Sequence, residues 1–544
     1  MVYADVIITN ANVITLDKKS SRAGSVAIKD GLISGIWQDK EPPRGEIEDI
    51  ENLTIIDAEG GTLIPGFIDT HTHLGGYGLQ KKHVNCGSPL NKSIADIQKR
   101  IADKVANTPA GEWIIGYAYD DTLLADKRHP NRADLDKIAP NHPVHINHIS
   151  GHFGVINSKG LEVAGMDDSV KDPEGGHFGR DEAGSLDGVL YETANLVIRK
   201  FLPSSTLEEY VKQIGEGAKD YLAQGITTAN DAAIRDELDL QAHIAAAKQQ
   251  VNPMHMRLMI MHDMLRNHDL FKEKTAEEVD HYLDEHSEGR VRLDSAKMFQ
   301  DGSIQGLTGA LREPYHTDSD LYGDFIFDQS FLNEEVAHLH RRGFRMAIHG
   351  NGDRAIGSIL DAYELAIAKY PRTDHRHRIE HVQTATVADL DRMQRLQVAG
   401  SFFINHVYYW GDRHKALFLG PDRARRISPL AEAQERNLLF TLHSDCPVTP
   451  VSPLFSIWAA VNRVTREGHV LGPEQRIDVE TALRTMTIDG AKLNFNEDIA
   501  GSIEVGKQAD LALLGADPTA INPMEIIDVP VLKTIIGGKV VFEK

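Results

Sequence analysis

The sequence predicts an α/β fold: a (β/α)8 barrel, a small β-sandwich built from both chain ends, and an α/β subdomain inserted over the barrel mouth. Three observations predict it. Eight short apolar runs alternate with stretches of helical periodicity, both termini carry only strand and hairpin signals, and residues 80–200 break the alternation with clustered turn residues. Right-handed crossovers force such an alternation into a parallel sheet, and eight strands close it. The expected domains are 1–62 with 495–544 for the sandwich, 63–494 for the barrel and 80–200 for the insertion.

At the N-terminus, residues 6–16 are rich in β formers. Residues 25–37 form two runs around Lys29-Asp30-Gly31, and 53–57 follow a polar loop. An Asp-Gly step suits a tight hairpin because glycine accepts positive φ. The first barrel strand is expected at 63–68. The insertion carries Asp120-Asp121, His129-Pro130, Ala139-Pro140 and Asp172-Pro173-Glu174-Gly175-Gly176 around strands at 113–119 and 144–148. Ser205-Thr206-Leu207-Glu208 then reads as a capping box opening a helix that Gly225 stops. Strands follow at 226–229, 256–261, 296–299, 344–349, 376–381, 398–404 and 438–443, with helical stretches such as 238–247, 276–286, 355–369 and 388–396 between them. The C-terminus returns to strands at 510–514 and 532–536, and Gly537-Gly538 turns the chain into 539–542. Neither terminal piece alone buries enough surface, so the two are expected to pair.

Composition narrows the function classes. The 544 residues carry 80 acidic against 58 basic side chains, a formal charge of −22, which argues against a phosphate-backbone partner. No window approaches 18 consecutive apolar residues, so no membrane span is expected. Cys86 and Cys446 are too few for a disulfide framework, and the first residues lack a basic and then apolar leader. A cytoplasmic enzyme without cysteine-based metal chemistry is expected, with a homodimer as the default assembly because two-fold closure is commonest. The surplus is histidine, 26 in all.

The most informative segment is Gly66-Phe67-Ile68-Asp69-Thr70-His71-Thr72-His73. Side chains alternate along a strand, so His71 and His73 face the same way and can chelate one metal ion. His349 closes a later strand before Gly350-Asn351-Gly352, His381 closes the next, and Asp445 follows the last. Barrel enzymes place catalytic groups at such strand ends. Taken singly, each of these residues has an ordinary structural reading; four histidines and an aspartate converging from strands one, five, six and eight are rarely an accident.

Together with these residues, the segments GFIDTHTH, Ser150-Gly151-His152 to Asn157-Ser158-Lys159, GITTAND, KMFQDGSIQGLTGAL, AIHGNGD, RIEHVQ, HSDCPVTP and GSIEVGKQADLALL make the chain resemble the amidohydrolase superfamily. Within it the chain resembles the YtcJ-like or AepA-like branch, amidohydrolase family 3, which includes N-substituted formamide deformylases. The resemblance implies a distorted barrel and hydrolysis of a C–N bond of a small amide by metal-activated water. It implies His71 and His73 as ligands of the more buried metal, and His349 and His381 as ligands of the more exposed one. Lys297 matches the family's bridging lysine. As a carbamate it would join two zinc ions, whereas an unmodified amine would only anchor charge; other divalent metals remain open. Asp445 would bind metal and serve as general base.

The substrate residues have two readings each. His152 is either an oxyanion donor or a loop anchor, and Asp301 either orients the site or caps a turn. Tyr119, His406, Tyr408, Tyr409 and Trp410 either wall an aromatic pocket or pack the core. His375 and His377 precede their strand and are left out of the site. Cyclic amides, urea-like bonds and esters use similar chemistry, and deamination by a single metal is a further alternative. A non-catalytic relative predicts missing ligands, and none of the six is missing.

Overall fold

The computed structural model describes residues 2–43, 45–48, 53–149, 151 and 153–544; His152 lies outside the described residues. The chain divides into two compact units, Met1–Tyr77 with Ile214–Lys544, and Gly78–Gln213. The second unit is somewhat longer at both ends than the insertion expected at 80–200.

Eight parallel strands form the centre of the first unit: β1 (Phe67–Thr72), β2 (Ile226–Ile234), β3 (His255–Met261), β4 (Val291–Phe299), β5 (Met346–Gly350), β6 (Arg378–His381), β7 (Ala399–Phe402) and β8 (Phe440–Leu442). They are hydrogen-bonded in chain order from β1 to β8. Helices Glu237–Lys248, Ala276–Ser287, Asp353–Lys369 and Val387–Leu396 fall where 3.6-residue periodicity places them. The strands are almost wholly buried, as parallel strands covered on both faces must be. The β1–β8 seam is stitched at its end by bonds outside the ladder. The Asp445 amide donates to the His71 carbonyl at 3.1 Å, and the His73 amide donates to the Cys446 carbonyl at 2.8 Å.

The first barrel strand differs from the expected 63–68. Thr62–Pro65 belongs to a different sheet, and the chain passes into the barrel at Gly66, so the boundary falls there rather than after residue 62. Gly66 is required by space, since a Cβ would stand 2.3 Å from the Thr227 side chain. The helix Leu207–Leu222 also begins one residue later than its signal suggests. Its reciprocal cap is Thr206 with Glu209: the Glu209 amide donates to Thr206 Oγ1 at 3.2 Å, and the Thr206 amide to Glu209 Oε2 at 3.1 Å.

Both chain ends build two further sheets. One runs Leu32–Trp37, Ser25–Lys29, Val6–Thr9, Thr54–Asp57. The other runs Lys539–Glu543, Val531–Ile536, Leu511–Leu514, Thr62–Pro65, Asn12–Ile14, Arg22–Ala23. Ile8, Val26 and Ile33 from the first share one apolar core with Val13, Leu63, Leu511, Leu513 and Ile535 from the second. Asp30-Gly31 and Gly537-Gly538 turn two hairpins, and both residues of each pair have positive φ, as the right-handed strand twist demands.

The second unit holds a six-stranded sheet, Val84–Asn85, Ile114–Tyr119, Val144–His148, Phe153–Ile156, Leu186–Glu192, Gly176–Arg180, parallel across its first three strands and antiparallel thereafter. The helix Ile94–Val105, capped reciprocally by Ser93 and Asp96, packs Ile97 and Ile101 against Ile114, Val144 and Ile146. Among the described residues no helix is long and apolar enough to cross a membrane.

Candidate metal centre

His71 and His73 leave β1 on one face, as a two-residue repeat requires, and converge on one carboxylate. His71 Nε2 lies 3.5 Å and His73 Nε2 3.1 Å from Asp445 Oδ1. On its other side, His71 Nδ1 donates to Glu380 Oε2 at 2.6 Å, which fixes the tautomer and leaves Nε2 as the nitrogen with a free lone pair. Glu380 is fully buried and takes a second bond from Arg378 Nε, while Arg378 Nη2 donates to Asp294 at 2.6 Å. Burial alone would raise the Glu380 carboxyl, but Arg378 and Lys297 hold it below the usual range.

His381 stands beside this set, its ring 4.9 Å from that of His71 and 4.5 Å from that of His349. Its backbone has φ 72°, followed by Val382 at 49°, and Asp445 has φ 51°. Left-handed conformations are costly in residues with a Cβ, above all in a β-branched one, and they gather here at the strand ends. Burial, with the neighbouring cations, pushes His71 and His381 well below the ordinary histidine value and His349 down to about 4, so these rings are neutral donors near neutral pH.

His349 departs from the simple pairing. Its Nε2 lies 2.9 Å from the Gly302 carbonyl and 3.6 Å from Asp301, so Nδ1 is the nitrogen it can offer. Asp301 is fully buried and accepts the backbone amides of Ala310, Asn351 and Gly352 at 2.9, 3.0 and 2.7 Å. Its carboxylate ties the loop after β4 to the loop after β5.

Lys297 near the end of β4 is fully buried, and its Nζ has no hydrogen-bond partner among the described residues. Burial pushes its amine down to about 8, against the attraction of Glu380 and Asp445. A β-bulge places it. Leu258 pairs with Leu293 and Met259 with Ser295, so Asp294 is unopposed and the strand's alternation resets between Asp294 and Lys297.

The aromatic candidates separate. His406 is buried with its ring 6.5 Å from that of His381, and Trp410 lies 5.5 Å from His406 on the same helix, His406–Arg413. Tyr408 and Tyr409 instead pack on Phe455, at 5.2 and 5.7 Å, and Tyr408 also meets Trp458. Tyr119 belongs to the core of the second unit, its hydroxyl 3.0 Å from His129 Nδ1. His375 and His377 sit before β6 in a hydrogen-bonded group with His340, the His340–His377 contact being 2.8 Å.

Three side chains that the sequence reading did not select also line the site: Glu380, Arg378 and His443. His443 stacks on His71 at 4.7 Å. At this site, among the described residues, two groups of side chains are close enough to hold an ion, His71 with His73 and Asp445, and His71 with His381 and His443; Asp120 with Asp121 and His148, and Asp412 with Glu467 and His469, meet the same distances elsewhere. Neutral imidazoles and an adjacent carboxylate form a donor set that suits a divalent cation of intermediate softness, and the buried Lys297 amine can join it only when it is uncharged.

The chain is 28% identical to N-substituted formamide deformylase of Arthrobacter pascens, over 99% of this chain and 98% of that one. It is 27% identical to the putative amidohydrolase YtcJ of Bacillus subtilis, over 98% of both. Its fold is similar to the crystal structure of an uncharacterized metal-dependent hydrolase from Pyrococcus horikoshii OT3, with a TM-score of 0.76 at 22% identity over 95% of this chain and 99% of that one. The profile of the amidohydrolase family matches residues 54–542, and the chain belongs to that family.

Proposed function

We propose that this protein is a metal-dependent hydrolase that cleaves a C–N bond of a small amide, with N-substituted formamides the first substrate class to test. The observation that carries the reading is the convergence of His71 Nε2 and His73 Nε2 on Asp445 Oδ1 at the end of the barrel strands. The likeness to the formamide deformylase, along the full length of both chains, supports the substrate class.

His71, His73, His349, His381 and Asp445 would hold zinc or another divalent cation, with Lys297 as the bridging group. When bound, such ions lower the pKa of water from 15.7 toward about 7 and polarise the scissile carbonyl. The chain's own residues do the rest. Glu380 holds His71 with its proton on Nδ1, so that Nε2 faces Asp445. Asp445 accepts the proton of the attacking water at a carboxylate oxygen and returns it to the departing nitrogen, so no amide anion has to leave. Lys297, when its amine is neutral, would add carbon dioxide and release a proton, and the resulting carbamate anion would suit the divalent cations that a protonated amine would repel. His406 and Trp410 form an aromatic side to the site beside His381.

A second reading is a single-metal site of His71, His73, His381 and Asp445. It is favoured by the spacing of the donors, since neither group of described side chains close enough to hold an ion at this site includes His349. Elemental analysis of protein purified without chelator separates the two, with Lys297→Ala as the partner measurement. Two equivalents per chain falling to one or fewer in the variant, with amine release from N-substituted formamides by wild type, is the expected result. One equivalent unchanged in the variant overturns the bridge, and no divalent metal in any preparation overturns the reading itself.

A further inference from the structure

His443 follows β8 by one residue and is fully buried between the rings of His71, at 4.7 Å, and Phe403, at 5.4 Å. Both of its nitrogens are engaged. Nδ1 is 2.7 Å from Ser401 Oγ, and Nε2 is 3.2 Å from His381 Nδ1. The chain of contacts continues from Ser401 Oγ to Thr70 Oγ1 at 3.3 Å and from Thr70 Oγ1 to Thr441 Oγ1 at 2.8 Å. β1, β7 and β8 thus each supply a hydroxyl, and all five side chains from His381 to Thr441 are 3% exposed or less. Water does not compete for these bonds, so each donor needs its acceptor within the chain.

A neutral imidazole carries one N–H, and its two nitrogens play opposite parts. The line of contacts therefore has two consistent senses. In one, His381 Nδ1 donates to His443 Nε2, His443 Nδ1 donates to Ser401, Ser401 donates to Thr70 and Thr70 to Thr441; His381 Nε2 is then left with a lone pair. In the other, Ser401 donates to His443 Nδ1 and His443 Nε2 donates to His381 Nδ1; His381 Nε2 then carries the proton and cannot bind a metal ion. We propose that His443 and Ser401 are positioning residues that hold His381 in the first sense and so present its Nε2 to a divalent cation. The inference rests on the metal-dependent reading given above. It makes His443 a counterpart of Glu380: each occupies the Nδ1 of a ligand histidine, one by a carboxylate and one by an imidazole backed by hydroxyls.

The test is a titration of metal-free protein with Zn²⁺ or Co²⁺ against a chromophoric chelator, read for affinity and stoichiometry. It is run on wild type, Ser401→Ala, Ser401→Thr and His443→Gln, with far-UV circular dichroism confirming that each is folded. Ser401→Ala removes the acceptor of the His443 Nδ1 proton, and its affinity is expected to fall about 10- to 100-fold with stoichiometry unchanged. Ser401→Thr keeps the hydroxyl and is expected to restore affinity. Wild-type affinity in Ser401→Ala overturns the proposal, as does an equal loss in Ser401→Ala and Ser401→Thr, which would mark a packing effect. Loss of one metal equivalent in His443→Gln beside an undisturbed Ser401→Ala would make His443 a ligand itself and also overturn it. Wild type that binds neither ion removes the metal-dependent reading and this proposal together, a result distinct from all the others.

Discussion

Lys297 concentrates the physics of the site in one side chain. Its amine, ordinarily near 10.5, is pushed down to about 8 by burial. Below that value it is charged in the folded and the unfolded chain alike, and the folded state bears the full cost of a charge held from water. Between about 8 and 10.5 the unfolded chain binds a proton that the folded chain does not, so stability rises with pH; above 10.5 both forms are neutral. Metal-free Lys297→Met is therefore expected to be more stable than metal-free wild type near pH 7, by up to about 3 kcal/mol, with the gap closing toward pH 10. Urea unfolding at the two pH values reads the difference, and a gap independent of pH would mean that the amine is solvated. What was legible at this scale followed from local rules. His71 and His73 share a face because a strand alternates, and that is visible in three adjacent letters. Glu380 and His443 were not legible as partners, because Glu380 is 309 residues from His71 in the chain and only the nearly closed barrel brings them to 2.6 and 4.7 Å of that ring.

The elements were legible where a period or a cap is local, and less so where two sheets share one apolar run. Residues 63–68 read as one strand because Leu63, Ile64, Phe67 and Ile68 are all apolar. The structure divides them at Gly66, which passes beneath the Thr227 side chain with no room for a Cβ. Gly66→Ala forces a methyl group against a residue that is itself buried in β2, and overpacking of this kind costs about 1–3 kcal/mol. The expected outcome is a lower urea midpoint with an unchanged slope, since the surface exposed on unfolding is nearly the same; an unchanged midpoint would show that the two strands can move apart freely. The bulge at Asp294 belongs to the same class of feature. It depends on how β3 and β4 pair, not on either segment alone, so the placement of Lys297 could not be computed from its own strand.

At the scale of the whole molecule, the alternation of strand and helix between residues 226 and 443 was enough to order the barrel, because parallel strands joined by right-handed crossovers have few other arrangements. The strand signals at both termini were legible too. The register that joins them was not, since Leu511–Leu514 pairs with Thr62–Pro65 across nearly the full chain. Removing residues 511–544 would strip Leu511, Leu513 and Ile535 from the shared core at about 1.5–3 kcal/mol each, before any loss of ladder bonds. Against a typical total of about 5–15 kcal/mol, the truncated chain is expected to lose cooperative unfolding and to partition into the insoluble fraction. A soluble truncation product with a sharp melting transition would show that the barrel stands without its terminal sheets.

The position of Thr62–Pro65 between an early and a late strand also sets a clock on synthesis. Its neighbour Asn12–Ile14 is already made when it emerges, but its other edge has no partner until residue 511 leaves the ribosome. At roughly 5–20 residues per second, the intervening chain takes tens of seconds to appear. For that interval one edge of an apolar strand waits for its partner, so the order in which the two ends are translated fixes how long the sheet stays open.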